Sequence, residues 1–391
     1  MNVLKLNSQI NPIKLLLVII LFLSLGLFPR DTSFFYFAPA LILLSIISLN
    51  KYALRNKYLI LAFLISAIIP IPSIYAGIDI ARDTIFLLYF FSAIILGHSL
   101  ARYMPIEYLI YALFFSGAYV TFLITIKLII GFQGDLSLIA IREITSGAGA
   151  YGVVFLALCY YGSRNLILFI SLIWSLILMI LTQSRTMFIS SLIWIYFVIS
   201  NKSGFILNLI MRLSLILILI LFFLISLSAD SESYTFAGKM MRSFQEIIPN
   251  ENQNMHANWR AVESAVALNA FLNGSFFEIV FGKGLGYRLS LGFDMTLANI
   301  DFDSIPILHN GYLYILLKYG VFGLVLWYKF LSSLVIREGN QVMITISKSC
   351  FYIILVTQLV SGGVMQYQGL LFLLIMAACS TLNSKNAKIF S

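Results

Sequence analysis

The stretch His309-Asn310-Gly311-Tyr312-Leu313 decides how this chain is organised. It closes the one long polar segment of an otherwise apolar sequence, and Lys318, Gly320 and Gly323 follow it. Histidine is the side chain whose ordinary pKa lies near neutrality, so it can accept and return protons at working pH. A boundary histidine at the lipid headgroup level, with the glycines there for helix packing, is the other interpretation. The stretch therefore offers a candidate acid–base residue where a polar segment re-enters lipid.

Composition places most of the chain in a membrane. Of its 391 residues, 61% are hydrophobic and 10% are charged, which is far from a soluble globular profile. The first apolar run follows Lys5 and Lys14 but has no small-residue cleavage site after it, so we interpret it as a span and not as a signal peptide. Runs near the length that a helix needs to cross a bilayer recur along the chain. They predict twelve spans, at roughly 15–28, 33–49, 58–76, 84–101, 107–131, 147–162, 165–182, 187–200, 208–228, 310–330, 343–361 and 366–382.

The predicted fold is an all-α polytopic membrane protein with one long outer loop of short helices. It divides into transmembrane helices 1–9 (residues 1–228), the outer loop (229–308) and transmembrane helices 10–12 (309–391). With the N-terminus in the cytoplasm, the inner segments carry fourteen basic and two acidic residues, and the outer segments nine basic and fourteen acidic. Because basic residues favour the cytoplasmic side, we expect both termini there and the loop outside. The net charge of +9 is thus an orientation signal and does not indicate nucleic-acid binding.

Patterns typical of metal and nucleotide sites are weak here. Cys159, Cys350 and Cys379 lie in or beside spans, which argues against disulfides and a Cys-rich metal site. Asp301-Phe302-Asp303 resembles a metal-holding carboxylate pair, but two acids separated by one residue are common in loops. Gly282-Lys283-Gly284-Leu285-Gly286 lacks the strand–helix context of a nucleotide site and predicts a tight turn. We therefore expect no cofactor and no metal.

Two groups of ionisable residues near span ends have simple interpretations. Asp79 and Asp83 lie four apart on one helical face, an arrangement that suits acid–base chemistry. Arg82 between them favours a solvated interface instead. His98, beside Arg102 near the cytoplasmic side, is interpreted as an interfacial residue.

Two arginines on the predicted outer side are candidates for binding an anion. Arg185, in a polar turn between two spans, either snorkels to lipid headgroups or offers a planar guanidinium to phosphate. Arg260 lies in the first turn of a helix predicted over 258–272, which Asn273-Gly274 stops. A basic residue there opposes the helix dipole, so with the positive helix end it would make an anion site. A surface ion pair with Glu263 is the equal alternative.

Lys318 bears on how the chain enters the membrane after His309. In one straight helix it would lie about 13 Å below His309, and a lysine at that depth is costly unless it lines a cavity or is paired. A short interfacial helix carrying His309, with the span starting near Tyr319, avoids that cost. We therefore predict a break in the helix.

Taken in order, these motifs resemble the O-antigen ligase and O-antigen polymerase superfamily of bacterial envelope polysaccharide synthesis. The resemblance covers roughly residues 145–330. Its motifs are Gln183-Ser184-Arg185 between two spans, Asn258-Trp259-Arg260 in the outer loop, the glycine-rich turn at 282–286, and His-Asn-Gly-Tyr-Leu before Gly-x-x-Gly.

The resemblance implies a C-type glycosyltransferase fold that acts at the outer (periplasmic) face of the bacterial inner membrane, without nucleotide sugar or metal. The implied donor is a glycan on undecaprenyl diphosphate. By resemblance, Arg185 and Arg260 would hold the diphosphate and His309 would activate the acceptor hydroxyl. The further substrate-binding candidates are Asn310, Arg142, Arg288 and Lys318.

Three functions remain open at this point. A polymerase transfers the growing lipid-linked chain onto a lipid-linked repeat unit, and a chain-length regulator protein is then a candidate partner. A ligase transfers the finished chain onto lipid A-core. The Phe- and Ile-rich composition and the form of the His309 motif favour the polymerase. A lipid-linked-oligosaccharide flippase would predict two similar halves, and the sequence shows no internal repeat.

Overall fold

The computed structural model describes residues 77–104, 106–131, 259–297, 300–361 and 369–389, with isolated helical positions at 14, 16–20, 64, 174, 192–193, 196–197 and 213. Within these ranges the helices are α1 (Gly77–Tyr103), α2 (Ile106–Gly131), α3 (Trp259–Leu272), α4 (Phe276–Phe281), α5 (Gly311–Ser333), α6 (Gln341–Ser361) and α7 (Leu370–Ile389), and the strands are β1 (Leu289–Leu297) and β2 (Ile300–Ile305). Apart from the isolated positions, the seven spans predicted before residue 77 and between 147 and 228 lie outside the described residues.

Three of the described helices are long and apolar enough to cross a membrane: Gly77–Arg102 in α1, Gly311–Ser333 in α5 and Gln341–Leu359 in α6. They correspond to the spans predicted at 84–101, 310–330 and 343–361. A shorter apolar segment, Leu370–Asn383 in α7, corresponds to the last predicted span. The protein is thus a helical membrane protein, and the count of twelve spans stays a prediction.

The core of the described part is built around α7. Residues Leu371 to Ala377 of this helix are 0–1% exposed, as expected of a helix that is apolar on every side. α7 packs most extensively against α1 and then against α6. The contact with α1 is close: a side chain added at Gly97 would place its Cβ 2.3 Å from the Leu374 carbonyl oxygen. His98 was expected at the membrane–water interface. It is buried instead, and its Nδ1 lies 2.5 Å from the Thr381 hydroxyl oxygen of α7.

The outer segment contains the predicted helix and an element that the prediction missed. The helix predicted over 258–272 is observed as α3, and it ends before Asn273-Gly274 as expected. The expectation of an all-helical loop is wrong at β1 and β2, which form an antiparallel hairpin. Leu289 to Leu297 alternate apolar with polar or glycine residues, which is the period of a half-buried strand. Asp301 and Asp303 therefore lie in a strand and not in a loop.

The helix after His309 is broken, as predicted. Gly320 inside α5 has φ 67° and ψ −172°, a conformation that is almost exclusive to glycine. The glycine-rich turn predicted at 282–286 is also observed, and Gly282, Gly284 and Gly286 all have positive φ. The two features contact each other. The Lys283 and Gly284 N–H groups donate to the carbonyl oxygens of Leu317 and Lys318, at 2.7 and 3.1 Å.

Candidate active site

Four residues of the His309 motif have separate structural tasks. Asn310 caps α5, because its side-chain oxygen accepts hydrogen bonds from the N–H groups of Tyr312 and Leu313. The Tyr312 hydroxyl donates to the Leu355 carbonyl oxygen of α6 at 2.9 Å. Leu313 is buried in the core. The start of α5 is thus fixed on the side that faces the helix core, while the His309 side chain remains 42% exposed.

Glu263 holds His309 by two hydrogen bonds. One carboxylate oxygen accepts from the backbone N–H of His309 at 2.5 Å, and the other lies 2.7 Å from Nδ1 of the ring. A carboxylate only accepts, so Nδ1 carries a proton, and in the neutral ring Nε2 keeps its lone pair. Glu263 is 1% exposed, whereas the His309 side chain is 42% exposed. The pair therefore consists of a buried acceptor beneath an accessible ring.

Arg260 lies on the same helix as Glu263. It is in the first turn of α3, three residues before Glu263. Side chains three apart on a helix are neighbours, about 5–6 Å apart at Cβ. This spacing places Arg260 on the part of α3 that carries the residue holding His309. A surface ion pair between Arg260 and Glu263 was the alternative prediction. The Glu263 carboxylate is not at the surface, because it is buried and both its oxygens bond to His309.

Lys318 is paired and buried. Its ammonium donates to Asp83 Oδ2 at 2.6 Å and to the Tyr287 carbonyl oxygen, and the residue is 2% exposed. It also lines a small cavity beneath the hairpin, together with Leu308 and Tyr314. The pairing with Asp83 thus meets the condition that makes a deep lysine tolerable. These contacts give Lys318 a positioning role for the helix break, which is a different task from binding substrate.

Asp83 connects the outer end of α1 to this region. It is 0% exposed and accepts hydrogen bonds from the Gly286 N–H at 2.7 Å and the Tyr314 hydroxyl at 3.1 Å, besides Lys318. Asp79 is 3% exposed. The expectation that these acids and Arg82 form a solvated interface is therefore wrong, because the outer loop folds over them.

Arg288 lies at the edge of the same network. Its guanidinium donates to the Ser304 hydroxyl and carbonyl oxygens at 3.1 and 3.2 Å, and lies 3.5 Å from Asp79. These contacts fix the guanidinium on the hairpin while 41% of the side chain stays exposed. Arg288 therefore remains partly accessible at the surface of the hairpin.

The other predicted candidates are placed as follows. Arg185 and Arg142 lie outside the described residues. Asp303 is exposed and accepts from the neighbouring Ser304 hydroxyl at 2.8 Å. Within the part of the chain that the structure describes, no three His, Cys, Asp or Glu side chains are grouped as a metal site would require. Cys350 and Cys379, both described, are buried free thiols.

Sequence reasoning missed the roles of Glu263 and Asp83. A signal for Glu263 was present: it follows Trp259 at a spacing of four and precedes Val266 at a spacing of three, so it lies on the apolar side of α3. An acid at such a position needs a partner. For Asp83 no local signal existed, because Lys318 is 235 residues away.

A comparison with protein families finds a match over residues 170–328, to the family described as O-antigen ligase. The resemblance to the O-antigen polymerase and ligase superfamily is confirmed. The O-antigen ligase match covers less than half of the chain and includes Arg185, Arg260 and His309. Neither the curated proteins nor the solved structures that were compared gave a match.

The O-antigen ligase match supports the interpretation of the site as that of a transferase. Members of the family are glycosyltransferase-like enzymes of the polymerase or ligase type. Glu263 lies inside the match, whereas Asp79 and Asp83 lie before it. The matched region therefore contains the Glu263–His309 pair, and Asp83 of α1 binds to other parts of that region, at Gly286 and Tyr314.

Proposed function

We propose that the protein polymerises lipid-linked oligosaccharide repeat units at the outer face of the bacterial inner membrane. The growing glycan would leave undecaprenyl diphosphate and join a hydroxyl of a lipid-linked repeat unit, as a component of O-antigen or capsular polysaccharide. The observation that carries the proposal is the accessible His309 ring fixed by buried Glu263, inside the region of the family match. This is the arrangement of a general base held by a carboxylate.

The proposed reaction is a single displacement. The acceptor hydroxyl gives its proton to Nε2 of His309 as its oxygen bonds to the anomeric carbon of the donor. The bond from that carbon to the diphosphate oxygen breaks, and its electron pair leaves with undecaprenyl diphosphate. One displacement inverts the configuration at the anomeric carbon. The Glu263 carboxylate stabilises the imidazolium that forms, because it accepts the Nδ1 proton throughout.

Arginines would bind the leaving group. A departing diphosphate develops negative charge, which positioned guanidinium groups stabilise. Arg260 is suited to this because it lies in the first turn of α3, where the helix dipole also favours an anion. Arg185 is the second guanidinium by resemblance. Arg288, exposed at the hairpin, is a candidate for the acceptor headgroup.

Ligation of a finished glycan to lipid A-core is the second candidate function, because the matched family is described as O-antigen ligase. It would use the same base and the same arginines with a different acceptor. Deletion in the source strain, followed by glycan gel analysis, separates the two. A lipid A-core bearing one repeat unit indicates a polymerase. Bare core with accumulating lipid-linked polymer indicates a ligase.

Substitutions test the site itself. We expect His309→Ala, Arg185→Ala and Arg260→Ala each to abolish the glycan ladder while the protein still inserts, because each removes the base or a diphosphate ligand. The matched control is Arg337→Ala, an exposed arginine after α5. It should keep a wild-type ladder. A wild-type ladder from any of the first three variants removes that residue from the site.

A further inference from the structure

Helix α4 exposes two phenylalanines that nothing in the described chain covers. Phe276 is 74% exposed and Phe277 is 72% exposed, and their rings pack edge to face with the centroids 6.1 Å apart. Leu272, at the end of α3, is 60% exposed. A patch of this kind is costly in water and marks a contact with a partner or with lipid.

The helix itself is well formed, so the exposure is not a frayed end. Ser275 and Glu278 form a capping box at its start. The Ser275 N–H bond to the Glu278 carboxylate holds the pKa of Glu278 below its usual range, and Lys283, at 3.1 Å, adds to this effect. Glu278 is the single charge in the Phe276–Phe281 sequence. Its carboxylate is bound to the Ser275 N–H group and to Lys283. The side of α4 that carries the phenylalanines therefore has no charged residue.

The patch continues an exposed stripe of α5. Val321, Val325 and Tyr328 are 42–51% exposed and recur at helical spacing on a helix that can cross the membrane. The Phe322 ring, beside Val321, packs against Phe281 of α4 at 5.9 Å. Phe277 is four residues before Phe281 and so lies on the same face of α4. The Phe281–Phe322 contact therefore connects the apolar side of α4 to the exposed apolar side chains of α5.

We propose that α4 is a membrane anchor, whose Phe276 and Phe277 insert between the acyl chains of the leaflet on the His309 side. Short apolar faces with aromatic residues lie at the boundary of headgroups and acyl chains in this way. The anchor sets the depth of the site. Three residues separate α4 from α3, and the Gly282–Gly286 turn after α4 is bound to Leu317 and Lys318.

The test measures where α4 lies in reconstituted vesicles. Phe277→Cys, in a Cys159→Ala background, is labelled with an environment-sensitive fluorophore, and Phe276→Cys serves as a second reporter. Ser290→Cys, exposed on β1, is the matched control. We expect the labels on α4 to emit at shorter wavelength and to lose most of their intensity to nitroxide-bearing lipids. The Ser290 label should respond to aqueous iodide instead.

Two results overturn the proposal. In the first, iodide quenches both α4 labels as strongly as it quenches the Ser290 label, and nitroxide-bearing lipids do not quench the α4 labels. The other is protection from both quenchers together with crosslinking between chains in the Phe277→Cys variant, which would mean that a second copy of the chain covers the patch. The measurement needs no glycan substrate, so its failure leaves the proposed function intact, and loss of the proposed function leaves the anchor intact.

Discussion

Glu263 determines which nitrogen of His309 is free to take a proton. Glu263→Gln keeps the size of the side chain but removes the charge that stabilises the imidazolium, and it leaves one acceptor oxygen for the two His309 N–H groups that Glu263 binds. We expect transfer to fall by roughly 10²–10⁴-fold, the range that general-base catalysis contributes. In assays with purified protein, the loss should appear in kcat, with the KM for the lipid-linked substrate little changed.

The matched control for this substitution is Glu278→Gln, since Glu278 caps α4 and does not contact His309. It should transfer glycan at close to the wild-type rate. Glu263→Asp should recover part of the activity, because it keeps the charge on a shorter arm. Wild-type kcat in Glu263→Gln would show that the contact only supports the fold and would remove the carboxylate from the mechanism.

The individual residues also show how far the sequence could be interpreted. His309 and Asn310 were predicted as site residues from their order among the motifs, and the structure shows that Asn310 caps the helix that follows. Glu263 was considered only as a partner for Arg260. Its true partner is 46 residues away, and a pairing over that distance depends on how α3 packs on the start of α5. Sequence spacing reports neighbours on one helix, not neighbours across two.

Among the elements, the contact between the glycine-rich turn and the break in α5 allows a stability prediction. A Cβ at Gly320 would lie 2.3 Å from the Val280 carbonyl oxygen, and the backbone there has positive φ. Gly320→Ala should therefore cost more than the roughly 1–3 kcal/mol of the backbone strain alone. We expect a clear loss of folded protein in fluorescence-detected size-exclusion chromatography.

Gly77→Ala is the control for that substitution, because no atom lies within 4 Å of the added Cβ at the start of α1. It should give a wild-type elution profile. A wild-type profile for Gly320→Ala as well would mean that α5 can run straight through this point, and that the break does not depend on glycine.

The elements differ in how well the sequence predicted them, and the reasons are physical. α3 has apolar residues at helical spacing and a local stop signal, and both act within one helix. The hairpin also had a local signal, the alternation from Leu289 to Leu297, but the register shifts between Ser290 and Met295. The shift affects the pairing only and leaves the alternation in the sequence unbroken, so this strand could have been predicted from its sequence. The buried ion pair between α1 and α5 had no local signal.

That ion pair leads to a prediction about contacts between elements. Asp83→Asn leaves the Lys318 charge buried without its counter-charge, which typically costs about 3–5 kcal/mol of the free energy of unfolding. We expect a lower melting temperature in detergent. Asp83→Asn combined with Lys318→Met should regain much of the loss, because it removes the isolated charge. Asp303→Asn, at an exposed acid on β2, is the control and should melt as the wild type does.

If the double variant melts no higher than Asp83→Asn alone, the lost stability comes from the other hydrogen bonds of Asp83. Those bonds run to the Gly286 N–H and the Tyr314 hydroxyl. The element that Asp83 stabilises would then be the glycine-rich turn and not Lys318.

At the scale of the whole molecule, the helices nearest the C-terminus hold the described part together. α7 packs on α1, and α1 in turn contacts α5 through Phe90 and Phe330, whose rings lie 5.6 Å apart. The outer segment rests on this group through Asp83. Changes deep in α7 should therefore reach the site through packing, although none of its residues belongs to the site.

The orientation of the whole chain gives the last prediction. α5 is long and apolar enough to cross a membrane, even with its break at Gly320. The hairpin and the exposed turn at 337–340 should thus lie on opposite sides of the membrane, and the distribution of basic residues puts the hairpin outside. In a Cys159→Ala background, an impermeant maleimide should label Ser290→Cys in intact spheroplasts, and Glu338→Cys only after permeabilisation. The reverse pattern would place His309 in the cytoplasm, away from glycans presented at the outer face. Labelling of both positions in intact spheroplasts would mean that α5 does not cross the membrane.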